Sequence, residues 1–414
     1  MFEQQLGELI AGTQGGTCWA LAYVNIDRFR EINNAMGVRA GDEALAQFSR
    51  RLLDLTGNRD LVCRLGGDEF ALVIQNHCAR EQLEGTVARL VNDISRPIVV
   101  SGGEIELRVS IGVSLFPADG RAYEELIRAA CSAMNQAQRD GGGVYRFFDR
   151  SVNIMEERRL TLQQGIRKGL QRGEFFMVYQ PKYSIGRQQV VGAEALVRWN
   201  HPALGLISPV EFIPLAEGNG EVIEMSEWIV DTVCRQIVEW KGRGIRIVPV
   251  SINISPVHFW RGSLVDTLRS AVQRWQVDPA LLPIEVTEGV VMDSSEKTMH
   301  VLEELRALGF HISIDDFGTG YSSMKYLSDL PISELKIDRS FVMQIPEDGV
   351  ETNGASTAIP RAIIQLATEF GLSVVAEGVE TQAQKQFLVE HGCDVIQGYL
   401  FSKPLSPEDF ASLL

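Results

Sequence analysis

Six oxygen-bearing residues in the second half of the chain could act together on a phosphate ester: Glu194, Asn253, Glu285, the adjacent pair Asp315-Asp316, and Glu377. Each falls within or just beyond a short β-rich run. Carboxylates gathered in one place repel one another unless a cation lies between them. Hard divalent ions such as Mg²⁺ or Mn²⁺ prefer oxygen ligands. Two such ions a few ångström apart clamp a phosphoryl group and activate water for in-line displacement, and adjacent aspartates are suited to bridging them. The same runs carry Gln180, Lys336, Asp338 and Gln397. Such chemistry needs no Ser, Cys or His nucleophile, and the six histidines show no metal-binding spacing.

Convergence of these groups requires a particular framework. Eight β-rich runs follow one another from about residue 175: Phe176–Gln180, Val191–Val197, Ile247–Ile254, Pro283–Thr287, His311–Ile314, Ser333–Ile337, Ser373–Ala376 and Val395–Leu400. The stretches between them are mostly helical in pattern. This predicts an α/β (β/α)₈ TIM-like barrel whose strand ends meet at one mouth. Residues 1–150 read as a separate α/β domain, with strands at Ala20–Ile26, Phe70–Ile74 and Leu107–Leu115. Its helices fall at Gly41–Leu55 and Tyr123–Arg139, the latter ended by Gly141-Gly142-Gly143. Residues 151–172 read as a linker helix, centred on Asn153–Gln171, and 173–414 as the barrel. The polar loop Gln344–Pro360 reads as an insertion free to move.

The totals set limits on partners. The 414 residues are 45% hydrophobic and 22% charged, an ordinary globular composition. A formal net charge of -15 offers no broad cationic footprint for polymeric nucleic acid. A small anionic substrate remains compatible if metal ions neutralise it locally. The six cysteines are scattered without a CxxC pair, as expected of reduced thiols in the cytoplasm. No run approaches ~18 continuous apolar residues and no signal peptide opens the chain, so the chain is expected to be soluble.

A family resemblance now becomes visible. Glu194-Ala195-Leu196 is the signature triplet of EAL-domain cyclic di-GMP phosphodiesterases. From about Leu160 to Leu414 the chain is similar to that family at Tyr179-Gln180-Pro181-Lys182, Ser251-Ile252-Asn253-Ile254-Ser255 and Glu285-Val286-Thr287-Glu288. The likeness continues at Asp315-Asp316-Phe317-Gly318-Thr319-Gly320-Tyr321-Ser322-Ser323, Leu335-Lys336-Ile337-Asp338, Ala376-Glu377-Gly378-Val379-Glu380 and Gln397-Gly398-Tyr399. The resemblance implies hydrolysis of cyclic di-GMP to linear pGpG. It implies a first metal on Glu194, Asn253, Glu285 and Asp315, and a second on Asp315, Asp316 and Glu377. Lys336 would stand beside the attacking water, and Arg198 would contact a substrate phosphate. Gln180, Asp338 and Gln397 would line the substrate mouth. The stretch from Asp316 to Ser323 would couple dimerisation to the metals, with Glu288 as its anchor. A homodimer is implied in the same way.

Gly66-Gly67-Asp68-Glu69-Phe70 resembles the hairpin of GGDEF domains, whose active members are diguanylate cyclases. The resemblance covers roughly residues 1–148 and implies a ferredoxin-like, cyclase-type palm that binds GTP through Asn33, Asp42, Gly66, Gly67, Asp68 and Glu69. The departures point to a degenerate, regulatory domain. The family's Asp-x-Asp metal pair reads Asn25-Ile26-Asp27 here, and an amide brings no charge to Mg²⁺. The triphosphate-binding Lys and Arg positions read Gln138 and Gly142, and the inhibitory-site Arg reads Gly57 ahead of Asp60. The family's opening turn is missing before Met1-Phe2-Glu3, which suggests a piece of a longer sensor protein, with upstream domains and an inner-membrane anchor compatible with it. The preferred reading is a cyclic di-GMP phosphodiesterase. Its alternatives are a non-catalytic cyclic di-GMP receptor, a bifunctional cyclase and phosphodiesterase, and a barrel lyase using Lys336 as a Schiff base. An acidic setting would keep Lys336 protonated and disfavours the last.

Overall fold

The computed structural model describes residues 2–12, 18–57, 60–75, 80–261, 263–292, 295–319, 327, 329–346 and 357–414. Two units divide the chain, residues 1–158 and 159–414. The helix Arg150–Arg172 runs through the division and begins one residue before the stretch 151–172 expected as a linker.

Among the described residues the first unit has seven strands: β1 (Trp19–Ile26), β2 (Leu61–Gly66), β3 (Glu69–Gln75), β4 (Ile98–Val100), β5 (Gly103–Ile105), β6 (Val109–Phe116) and β7 (Tyr145–Phe147). The main sheet has the order β2-β3-β1-β6-β7, and β4 pairs with β5 apart from it. Its first four strands are antiparallel neighbours, the ferredoxin-like arrangement expected, and β7 adds parallel to β6. The sheet is buried on both faces because both alternating sets of β1 are apolar. Ala20, Ala22, Val24 and Ile26 pack with Ala44, Phe48, Leu83 and Val87 from the helices Val38–Asp54 and Arg80–Ile94. Trp19, Leu21 and Tyr23 pack with Phe2, Leu6, Leu126 and Met134 from the helices Phe2–Gly12 and Tyr123–Arg139. Gly112 lets the latter helix lie directly on β6, since a Cβ there would come within 2.0 Å of the Ala130 carbonyl oxygen. Cys18 is disulfide-bonded, which corrects the expectation of reduced thiols throughout. Cys63, Cys131, Cys234 and Cys393 are free.

The second unit contains β8 (Phe175–Ser184), β9 (Gln189–His201), β10 (Gly205–Ile207), β11 (Val250–Ile254), β12 (Ile284–Thr287), β13 (Ile312–Phe317), β14 (Glu334–Ile337), β15 (Ser373–Ala376) and β16 (Val395–Ile396). Eight of them close a barrel in the order β8-β9-β11-β12-β13-β14-β15-β16, with β16 returning to β8 and β10 flanking β9. Neighbours from β9 to β16 are parallel. The first strand departs from the regular (β/α)₈ expectation: β8 is antiparallel to both β9 and β16. A hairpin, not a helix, therefore joins β8 to β9. The final strand is shorter than the expected Val395–Leu400, ending at Ile396.

A barrel of this kind is usually filled by branched apolar side chains. Here Val250, Ile252, Ile254, Ile312, Ile314, Leu335 and Ile337 belong to the apolar core, while the alternating partners Ser251, Ser313 and Lys336 are buried polar groups. Two-residue periodicity thus assigns one face of each strand to the helices and the other to a polar interior. Among the described residues, no helix is long and apolar enough to cross a membrane.

One buried histidine lies outside this interior. His258, in the helix Pro256–Arg261, is fully buried, and neither ring nitrogen has a partner among the described residues. Burial holds its imidazole below the ordinary value. The folded chain then binds fewer protons here than the unfolded one, so this contribution is lost as pH falls through about 6.5 toward the lower folded value. His258→Leu is expected to lose less thermal stability than the parent on going from about pH 7.5 to about pH 5.5. Equal losses, measured by calorimetry, would place the acid sensitivity elsewhere.

Candidate active site

Lys336 organises the barrel interior. Its Nζ lies 2.5 Å from Glu377 Oε1, 2.6 Å from Glu285 Oε2, 2.9 Å from Asp315 Oδ1 and 3.5 Å from Glu194 Oε2. Register explains the convergence: Ser251 pairs with Glu194, Asn253 with Glu285, and Thr287 with Asp315 on adjoining strands. Glu194 lies in the middle of β9 rather than at its end. It accepts hydrogen bonds from Asn253 Nδ2 at 2.6 Å and Gln397 Nε2 at 2.6 Å. Gln397 also donates to Gln180 Oε1 at 3.2 Å. The structure therefore brings together Gln180, Glu194, Asn253, Glu285, Asp315, Lys336, Glu377 and Gln397.

The electrostatics of this group are set by competition between burial and Lys336. Burial, opposed by the Lys336 ammonium and reinforced by Asp315 and Glu194, raises the Glu377 carboxyl to about 8. Burial also raises Glu194, against the pull of Lys336. At Glu285 burial is outweighed by the ammonium groups of Lys182 and Lys336, which draw the carboxyl down to about 2. Lys336 is held well above its usual value, because Glu194, Glu285, Glu377 and Asp315 outweigh its burial. A protonated Lys336 is no Schiff-base nucleophile, which removes the lyase alternative.

The group fits hard divalent cations. Asp315, Asp316 and Glu377 each offer a carboxylate oxygen within 4.8 Å of the others. Asp315 Oδ1 and Glu377 Oε1 are buried, and the Lys336 ammonium is the cation beside both. Buried acceptors facing neighbouring carboxylates are the donor set that Mg²⁺ or Mn²⁺ takes. Asp316 adopts φ 54°, a left-handed conformation that costs about 1 kcal/mol or more in a non-glycine residue. Desolvation, with Asp315 and Asp338, raises its carboxyl to about 6. Glu288 accepts a hydrogen bond from the Gly318 backbone N–H at 2.9 Å, which ties it to the segment after Asp316. Residues 320–323 of that segment and 347–356 of the loop Gln344–Pro360 lie outside the described residues. A cleft of about 280 Å³ beside the carboxylates is lined by Arg198, Ile213, Glu217, Met225, Asn253 and Asp316, among others. Arg198 is half-buried there, and one of its guanidinium nitrogens donates to the Val197 carbonyl at 2.9 Å. Asp338 caps the short helix Arg339–Val342 through Ser340.

Two interior residues were not assigned a role from sequence. Lys182 Nζ lies 2.8 Å from Glu285 Oε1 and 3.3 Å from Glu334 Oε1. The available signal was the two-residue spacing from Gln180 to Lys182, which puts both on one face of β8.

In the first unit, Gly66 and Glu69 close the β2–β3 hairpin across Gly67-Asp68. Gly67 takes φ 53° there, a conformation open to glycine. Asn33 lies on the helix Phe29–Met36 and its Oδ1 is buried without a partner, against Gly41 and next to the exposed Asp42. The position of the expected metal pair is closed by amides. Gln138 Nε2 donates to Asn25 Oδ1 at 2.8 Å, and Asn25 Nδ2 donates to Asp68 Oδ2 at 3.2 Å. Asp27 accepts from Ser110 Oγ at 2.7 Å and from the Gly143 N–H at 2.8 Å. Donors thus satisfy the carboxylates that a cation would otherwise neutralise.

A palm-type unit followed by a barrel with an acidic, oxygen-donor mouth defines the class of protein. The chain belongs to the EAL domain family: residues 163–404 match the EAL domain, and residues 1–143 match the diguanylate cyclase, GGDEF domain. It is 40% identical over 392 residues to the bifunctional diguanylate cyclase/cyclic di-GMP phosphodiesterase MucR of Pseudomonas aeruginosa, covering 94% of this chain and 56% of that protein. It is 38% identical over 389 residues to the cyclic di-GMP phosphodiesterase NbdA of the same organism, covering 93% of this chain and 48% of that protein. The chain spans about half the length of these curated relatives. The solved PaMucR phosphodiesterase in complex with c-di-GMP aligns with a TM-score of 0.57 at 41% identity, covering 60% of this chain and 99% of that one.

The amide closure of the first unit is open to test. Asn25→Asp combined with Gln138→Ala removes both amides and adds a carboxylate beside Asp68 and Asp27. Calorimetric titration with Mn²⁺ is expected to show one more bound ion per chain than the parent, since charge governs such binding. Unchanged stoichiometry would mean that other groups close the position.

Proposed function

We propose that the barrel hydrolyses cyclic di-GMP to linear pGpG with two divalent cations, Mg²⁺ or Mn²⁺. The observation that carries this reading is the ring of Glu194, Glu285, Asp315 and Glu377 around Lys336 at the barrel mouth. Glu194, Asn253, Glu285 and Asp315 would hold one ion, and Asp315, Asp316 and Glu377 the other. Bound divalent ions supply Lewis acidity at the phosphoryl oxygens and lower the pKa of water in the site. Lys336 contributes a fixed positive charge beside the reacting phosphate. Arg198 contacts a phosphate of the dinucleotide, and Gln180, Gln397 and Asp338 position the rest of it. Glu288 steadies the backbone at Gly318. Hydrolysis bonds a water oxygen to phosphorus, and the ribose 3′ oxygen leaves with a proton.

In the same reading the first unit is a GTP-binding regulator that does not cyclise GTP, and the working protein is a homodimer in the cytoplasm, preceded by sensor domains. The name of the bifunctional relative favours a second reading, in which both units are catalytic. The hydrogen-bonded amides at Asn25 and Gln138 speak against it.

A turnover assay with cyclic di-GMP and Mg²⁺, resolving products by chromatography, tests the proposal. The parent is expected to give pGpG, and Glu194→Ala to lose at least about a hundredfold in rate, as loss of a metal ligand costs several kcal/mol. GTP is expected to change the parent's rate. Tight binding of the dinucleotide without product would move the barrel to a receptor role. Cyclic di-GMP formed from GTP would make the protein bifunctional.

A further inference from the structure

We propose that Lys182 is a positioning residue for Glu285, fixing that carboxylate from the end of the barrel remote from the mouth so that it meets a metal ion in one orientation. This rests on the reading of Glu285 as a metal ligand.

The reversed strand makes the placement possible. Because β8 runs antiparallel to β9, with Gln180 opposite Glu194 and Lys182 opposite Gly192, each step toward its C-terminus leads away from the mouth. Gln180 therefore stands level with Glu194, and Lys182 stands one layer deeper on the same face. Gly192 lies against the lysine stem: a Cβ there would stand 3.7 Å from Lys182 Cδ, an ordinary contact, and its tighter neighbour would be the Pro249 carbonyl oxygen at 3.3 Å.

The two oxygens of Glu285 are divided between two ammonium groups. Oε1 accepts from Lys182 Nζ at 2.8 Å, and Oε2 accepts from Lys336 Nζ at 2.6 Å. The Glu285 and Lys182 side chains are 0% and 8% exposed, so water does not screen the pair. The other contact of Lys182 is Glu334 Oε1, which also accepts from Ser313 Oγ at 2.9 Å. Ser373 Oγ lies 3.3 Å from Glu334 Oε2. Lys182 is thus braced on the floor by Glu334 and presents its charge to one edge of Glu285. A carboxylate held on one oxygen by a neighbour outside the coordination sphere is pre-oriented on the other, and such partners commonly govern metal affinity. Without Lys182, Glu285 could turn both oxygens toward Lys336 and draw that ammonium from Asp315 and Glu377.

Mn²⁺ binding to the full chain without substrate, followed by calorimetry, tests this assignment. Lys182→Met keeps the stem and removes the charge; its Mn²⁺ dissociation constant at the barrel site is expected to rise about tenfold. At saturating Mn²⁺ the KM for cyclic di-GMP is expected to stay at the parental value. A buried charge left unbalanced could prevent folding, so Lys182→Met/Glu334→Gln is tested beside it, with Glu334→Gln alone as control. The double variant is expected to bind Mn²⁺ as weakly as Lys182→Met, and Glu334→Gln to bind within about twofold of the parent, because Glu285 keeps its lysine. Parental affinity in the double variant would overturn the proposal and leave Lys182 as a counter-ion to Glu334. Glu285→Gln separates the two levels of the reading. If it binds Mn²⁺ like the parent, or the parent binds none, the metal assignment of Glu285 fails; if it alone weakens binding, only the role of Lys182 fails.

Discussion

Four carboxylates share one buried ammonium group, and the barrel is arranged around that imbalance. Glu194, Glu285, Asp315 and Glu377 could not be enclosed together as anions without a counter-charge. Lys336 supplies part of it, and its contacts reach strands on several sides of the barrel. The excess of negative charge that remains is what makes the mouth receptive to cations. Burial, reinforced by the same excess, pushes the Glu377 carboxyl up to about 8, so affinity for metal and affinity for protons respond to one electrostatic state.

The apolar side of the framework makes this tolerable. Alternating residues on each strand separate the charged interior from a shell of isoleucine, valine and leucine packed under the helices. A one-residue slip in any strand would exchange the two sets. The polar interior therefore exacts strict register from every strand.

Much of this was legible in the sequence. The positions of Glu194, Glu285, Asp315, Lys336 and Glu377 on successive β-rich runs were readable because strand periodicity and turn chemistry are local. The direction of β8 was not readable, since a short apolar run does not encode whether its neighbour is parallel. The role of Lys182 was hidden for the same reason: only the reversal of β8 carries it beneath Glu285. In the first unit, Asn25, Gln138 and Gly142 could be recognised as departures from a pattern. The hydrogen bond from Gln138 to Asn25 could not, because it joins residues 113 positions apart. The disulfide at Cys18 was missed because composition reports the usual state of thiols rather than their proximity.

The reversal of β8 also decides where the chain enters the barrel. In an all-parallel barrel the polypeptide arrives on the face remote from chemistry; here Phe175 pairs with Trp199, on the rim side of Glu194. The end of the preceding helix is seated there, with Gly165 and Gly169 close against the Trp199 ring, and the indole N–H donates to Glu174 at 3.0 Å. Trp199 thereby joins the end of that helix to the strand bearing both Glu194 and Arg198. The chain therefore enters the barrel at the edge where Arg198 lines the cleft.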